Sequence, residues 1–208
     1  MSASAPVVIL GIDPGSRVTG WGVIEHASNR SRCVDHGRIH LEGDELPGRL
    51  LKIFQEVGKV IAHYQPQETA IEEVFVNRNI SSALVLGQAR GAAICALASA
   101  GLPVAEYAPA QIKSAVVGNG RAEKQQVQHM VKILLKLTET APTDASDALA
   151  VALCHAHVRG TVAKTGEALR GAWGNFKWDA AATYSWARTD DHTRNAISNT
   201  LFQAALAR

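Results

Sequence analysis

Apolar and polar positions along this 208-residue chain change period several times, and each change predicts a different element. Val7-Val8-Ile9-Leu10-Gly11-Ile12-Asp13 is a nearly unbroken apolar run ended by an acid, the pattern of a buried strand. Pro14-Gly15-Ser16 supplies turn chemistry. Thr19-Gly20-Trp21-Gly22-Val23-Ile24-Glu25 recovers β character, and a third strand is expected near Arg32–Ile39, which together make an antiparallel meander. The period then lengthens. Leu46, Leu50, Ile53, Phe54, Val57, Val60, Ile61 and Tyr64 recur at three and four, which predicts an amphipathic helix that Pro66 ends.

A short strand Thr69–Glu72 follows, then a long helix of small residues over Asn79–Ala100, with Ala83, Gly87 and Gly91 spaced by four. That stripe suits close backbone packing, either on the sheet or against another subunit. Gly101-Leu102-Pro103 leads into a strand Val104–Tyr107, and two further helices are expected near Lys124–Leu137 and Asp144–His157. Antiparallel strands followed by alternating helices and parallel strands predict an α/β fold, a mixed sheet covered by helices on both faces.

Composition narrows the function classes. A hydrophobic content of 47% is ordinary for a folded core. Met1–Pro6 lacks the basic opening of a secretory signal. The apolar stretch around Ala83–Ala100 is interrupted by Gly87, Gln88, Arg90 and Gly91, and reads as too polar for a membrane span. Cys33, Cys95 and Cys154 are widely spaced and odd in number, which suggests reduced thiols in the cytoplasm. A net charge of +2 permits nucleic-acid binding without requiring it.

Four carboxylates carry the chemistry. Asp13 and Glu72 each end an apolar strand, and Asp144 and Asp147 open an apolar helix. A buried acid is costly unless its charge is compensated. When separate elements each deliver one, a divalent cation is the simplest compensation, and a metal-dependent phosphoryl-transfer enzyme follows. Each acid has a plainer explanation: Asp-Pro-Gly is good turn chemistry, Glu72 and Glu73 can both be solvated, and two acids in a first turn complement a helix dipole. Ala70 and Val74 make the Glu72 side the inward one. Asp147 aligns with Val151 and Cys154 on the expected buried stripe.

Lys113, Arg121, Lys124, Lys132 and Lys136 form a basic stretch, and the loop Val117–Arg121 suits phosphate contacts or a solvated face. Phe75, in the polar loop after Glu72, could stack on bases or anchor a core. His155 and His157 lie two apart on a helix, so a shared metal is rejected.

Ile9 to Gly20, Ala70-Ile71-Glu72, Ser82-Ala83-Leu84 with Leu86 to Gly91, Val116-Val117-Gly118, Ala122-Glu123-Lys124 with Val127 to Val131, and Asp144 to Ala150 closely resemble RuvC-type Holliday junction resolvases, over about Val7–His157. The resemblance implies a ribonuclease-H-like five-stranded sheet in residues 1–158. It implies a homodimer that resolves four-way DNA junctions by paired symmetric nicks in recombination and repair, working with RuvA and RuvB. It implies Asp13, Glu72, Asp144 and Asp147 as catalytic metal ligands for two Mg²⁺ ions, for which Mn²⁺ can substitute. It also marks Phe75, Lys113 and Lys124 as DNA contacts, to which the basic loop adds Arg121.

Residues 159–208 depart from the family pattern. This C-terminal extension holds Trp173, Trp178 and Trp186 and has no assigned function. Two rival classes are an ATP-dependent phosphotransferase and a non-catalytic junction-binding dimer. The first needs a second glycine-rich nucleotide motif, and the second is disfavoured by the presence of all four acids.

Overall fold

A computed structural model describes residues 5–41, 43, 45–74 and 80–165. Its elements run β1 (Val7–Asp13), β2 (Val18–Ala27), β3 (Arg30–His40), α1 (Leu46–Tyr64), β4 (Glu68–Glu72), α2 (Ile80–Ser99), β5 (Val104–Tyr107), α3 (Pro109–Val117), α4 (Lys124–Leu134) and α5 (Thr143–Thr165). The sheet order is β3-β2-β1-β4-β5. β1, β2 and β3 pair antiparallel, while β4 and β5 join parallel to β1, so the expected five-stranded mixed sheet is present.

Local chemistry explains the turns. Ser28 and Asn29 both adopt positive φ, +50° and +67°, between Ala27 and its partner Arg30. Two such residues twist a hairpin in the sense that its strands require. Gln65 at φ 48° caps α1 just before Pro66, which cannot continue a helix.

Alternation along the strands divides the core. Ile9, Ile24 and Ala70 face α3, α4 and α5, joined by Ile112, Val116, Val127, Val131 and Leu149. Leu10, Ile12, Val23 and Ile71 face the other way, against Ile53 and Val57 of α1 and Ala89, Ala93 and Leu97 of α2. Helices therefore cover both faces, as the sequence pattern requires.

Three differences from expectation have clear causes. α3 escapes the periodicity, because its nine residues bury only Ile112 and Val116, too few to show a period. Its ends are nevertheless marked by Pro109 in the first turn and by Gly118 at φ +83° after the last. α4 stops at Leu134, and Lys136 adopts a left-handed φ of +53°. α5 continues to Thr165 with Thr143 inside the helix, where its hydroxyl accepts a hydrogen bond from Gln128 at 3.2 Å.

Among the described residues α2 alone, 20 residues long with a mean hydropathy of 1.4 in its most apolar 18-residue stretch, is long and apolar enough to cross a membrane, so its interruptions do not make it too polar by that measure. Its chemistry ties it to this domain. Arg90 forms an ion pair with Glu106 and donates from Nε to the Glu72 carbonyl at 3.0 Å.

Candidate active site

β1 and β4 run parallel with Ile12 beside Ile71, so Asp13 and Glu72, one residue further on, emerge together at the same sheet edge. Both project toward α5. Glu72 thus takes the inward position, and the Glu73 amide bonds the Tyr107 carbonyl at 2.9 Å.

What brings the third acid to this edge is a stripe without side chains. A Cβ on Gly20 would fall inside the Asp144 carbonyl oxygen, one on Gly11 would collide with the Ala148 carbonyl, and one on Gly22 would lie 2.7 Å from the Leu149 side chain. α5 therefore rests its backbone directly on β1 and β2, and its first turns reach the strand ends. Gly15 allows the tight turn back toward Val18, as the turn chemistry of Pro14-Gly15-Ser16 requires, and Gly20 serves helix packing.

The resulting cleft of 370 Å³ is lined by Asp13, Glu72, Asp147, Lys113, Lys124, Pro109, Ile112, Val127 and Ala150. A cleft of similar size on the opposite sheet face, lined by Trp21, Lys52, Glu56 and Lys59 and bordered by Arg38 and His40 at the β3 edge, contains a single acid and lacks the donors for this chemistry.

Electrostatics in the acidic cleft are strained. Burial, then the neighbouring Glu72 and Asp147 carboxylates, push the Asp13 carboxyl up to about 9. Burial also raises Glu72, which shares a hydrogen bond with Asp13. Asp147 is raised by burial as well, against the pull of Lys124, whose Nζ lies 2.6 Å from Asp147 Oδ2. Burial works against the Lys124 charge, but Asp147 foremost, with Asp13 and Asp144, holds its ammonium above the ordinary lysine range.

Buried carboxylates of like charge, sharing a proton, are an all-oxygen donor set suited to a hard divalent cation, which would replace that proton. Asp13, Glu72 and Asp147 fit such an ion. Among the described residues no three acids already stand as a formed ligand set, since Asp13 and Glu72 turn to each other and Asp147 to Lys124.

Of the other expected residues, Asp144 sits one helical turn before Asp147, close enough to act on Lys124 but outside the cleft lining. Lys113 and Lys124 line it. Arg121 is exposed in a turn closed by Asn119, whose Oδ1 accepts from the Arg121 amide at 3.0 Å. Phe75 lies outside the described residues.

His155 shares no metal site with His157. Its Nδ1 lies 2.8 Å from the Tyr107 hydroxyl and its Nε2 2.9 Å from Glu68, while His157 Nδ1 lies 3.0 Å from the Ala115 carbonyl. Sequence reasoning missed Arg90, which fixes the β4 end through the Glu72 carbonyl. Its one signal was a lone cation inside an apolar helix.

Comparison with known proteins places the chain in a family. The family model described as crossover junction endodeoxyribonuclease RuvC matches residues 9–155. A crossover junction endodeoxyribonuclease RuvC from Shewanella pealeana is 54% identical over 171 residues, 82% of this chain and 99% of that protein. One from Pelobacter propionicus is 53% identical over 173 residues, 81% and 98% of the two. Thermus thermophilus RuvC, solved in complex with a Holliday junction substrate, superposes with a TM-score of 0.70 at 34% identity, covering 74% of this chain and 96% of that one. The yeast mitochondrial Holliday junction resolvase Ydc2, with a TM-score of 0.55 at 10% identity, shares the fold. With a family match over residues 9–155 and relatives of more than half identity, this chain belongs to the RuvC family of crossover junction endodeoxyribonucleases.

Proposed function

We propose that this chain resolves four-way DNA junctions with paired metal-dependent nicks, using Asp13, Glu72 and Asp147, with Asp144 at the rim, as the acidic site. The observation that carries this reading is the convergence of the first three, from two parallel strand ends and a helix, in one cleft with Lys113 and Lys124. Divalent ions held by these oxygens would activate a water and stabilise the charge developing on the leaving oxygen. Mg²⁺ is the ion we assign, in two sites, with Mn²⁺ able to substitute.

The protein's own contribution is positioning. Glu72 is held from behind by Arg90 at its carbonyl, and Asp13 by its place in β1. Lys124 keeps its charge, pairs with Asp147 and is 58% exposed along its side chain, so it faces both the acids and an approaching phosphate. Lys113 adds a second cation at the cleft. Arg121 and Phe75 we assign to DNA beyond the cleft.

The quaternary reading is a homodimer formed through α2. Ile80 and Leu84 of that helix are 71% and 65% exposed, and Gly87, Gly91, Cys95 and Ala98 continue their stripe. Partnership with RuvA and RuvB belongs to the same proposal. So does a cytoplasmic location, supported by free Cys33, Cys95 and Cys154. We take residues 1–158 as the nuclease domain and 159–208 as an extension.

The test is cleavage of a labelled four-way junction with Mg²⁺, beside metal-free and linear-duplex controls. The parent should make paired symmetric nicks. Asp13→Asn and Glu72→Gln should still bind the junction and lose at least about 10²–10³-fold in cutting rate. Full cleavage by either variant overturns the assignment.

A further inference from the structure

Three residues stand in a row across the sheet on the face that carries the acids. Asp13 of β1 pairs with Gly20 of β2, and Gly20 pairs with Arg38 of β3. Directly paired residues share a sheet face. Here that face is the α5 side, because Asp13 interacts with Asp147 there and a Cβ on Gly20 would run into the Asp144 carbonyl. Trp21 and its partner Gly37 confirm the alternation, since a Cβ on Gly37 would meet the Trp21 ring on the opposite, α1 side.

Arg38 therefore leaves the backbone on the side of the first turn of α5, at the β3 edge of the sheet, where it also borders the cleft of Trp21 and Glu56 on the other face. Lys113 and Lys124 lie on the other flank of the carboxylates, on helices that follow β5 at the far side of the sheet. Arg38 is exposed, and among the described residues its guanidinium has no hydrogen bond or ion pair. Arg17 and His40, also exposed, stand next to it: His40 pairs with Val18, and the Leu41 amide bonds the Arg17 carbonyl at 2.9 Å. Two strand spacings separate Arg38 from Asp13, roughly 10 Å between backbones. Along a duplex at about 3.4 Å per step, that is about three nucleotides.

We propose that Arg38 is a phosphate-binding residue, gripping the DNA backbone about three nucleotides from the scissile bond on the β3 side of the acids. It rests on the resolvase reading and adds a second basic bank to it. A duplex arm crossing the acidic cleft is held between Lys113 and Lys124 on one flank and Arg38 on the other. The ligand is phosphate, so the contact carries no base preference.

The experiment measures the affinity for a synthetic four-way junction against salt, for the parent, Arg38→Ala and Arg38→Lys, with thermal melting to confirm the fold. Arg38→Ala should bind at least about tenfold more weakly, equally across junction sequences, and lose about 1.8 from the magnitude of the log–log salt slope, about 0.9 for the Arg38 of each protomer in the dimer. Arg38→Lys should restore most of both. Neutral methylphosphonates placed singly within about three nucleotides of the cut should weaken the parent at one position and leave Arg38→Ala unaffected there. A parent that nicks junctions beside an Arg38→Ala variant with unchanged affinity and slope overturns the Arg38 contact alone. A parent that neither binds nor nicks junctions overturns both it and the resolvase reading.

Discussion

α5 and α2 look alike in sequence, both of them long, apolar and rich in alanine, yet the fold treats them oppositely. Every residue from Ala148 to Cys154 is at most 1% exposed, because α5 lies between the sheet and the pair α3 and α4. α2 buries Ala89, Ala93, Ala96 and Leu97 against its neighbours and leaves Ile80 and Leu84 open. A helix apolar all round belongs in an interior. α5 satisfies that rule within one chain, and α2 satisfies it only with a further surface. The helix buried on all sides carries Asp147, whose half-buried carboxylate needs a rigid support, while the half-covered helix leaves Ile80 and Leu84 at the surface.

Breaking the α5 side should have the largest effect on the fold. Gly20→Val forces a side chain into the Asp144 backbone. It should destabilise the protein by about 3 kcal/mol, the upper end of overpacking costs, and lower the melting temperature by about 6–12 °C. Gly58→Ala in α1, where a Cβ meets nothing within 4 Å, is the control and should stabilise by up to about 1 kcal/mol. Thermal melting of both variants checks this pair. Equal losses would mean that the glycine stripe does not set the position of α5.

The α2 side should break differently. Leu84→Glu places a charge on the exposed stripe. Dimer dissociation, followed by sedimentation, should become at least about tenfold easier, about 1.4 kcal/mol. The melting temperature of the monomer should hold. A parent that is monomeric at all concentrations removes the subunit role from α2.

The smallest effect sharpens the electrostatic half of the comparison. Burial, then the Glu72 and Asp147 carboxylates, push Asp13 up to about 9 in the folded protein, against the ordinary aspartate value of 3.8 that applies once the chain unfolds. The folded state therefore binds the extra proton between those values. The Asp13 contribution to stability is greatest below 3.8 and falls as pH rises toward about 9. Asp13→Asn removes this loss and should raise the metal-free melting temperature at pH 8 by about 3 °C, the shift given by roughly 1 kcal/mol. Mg²⁺ should raise the parent's melting temperature more at pH 8 than at pH 6. A parent whose metal-free stability follows the same pH dependence as Asp13→Asn across this window would refute the shared proton.

The three acids that the cleft brings together were legible because they interrupt apolar patterns. Asp13 and Glu72 end strands whose periods identify them, and Asp147 lies in line with Val151 and Cys154, both fully buried. The long helices were legible for the same reason, since period survives in a list of residues. α3 was not, with two buried side chains in nine residues, and neither was the anchoring of Glu72 by Arg90, which joins residues 18 apart through a backbone carbonyl.

Pattern along the chain settles the order of elements, the acids and the apolar character of α2 and α5, because propensity, turn chemistry and burial pattern are local. Packing in three dimensions settles which apolar helix is covered and which glycines admit a helix backbone. It also settles that Asp147 pairs with Lys124 while Asp144 stays at the rim, and that Arg38 stands in line with Asp13. Those outcomes depend on strand register and on close approach between segments far apart in the chain, and neither distance nor register is written at any single position.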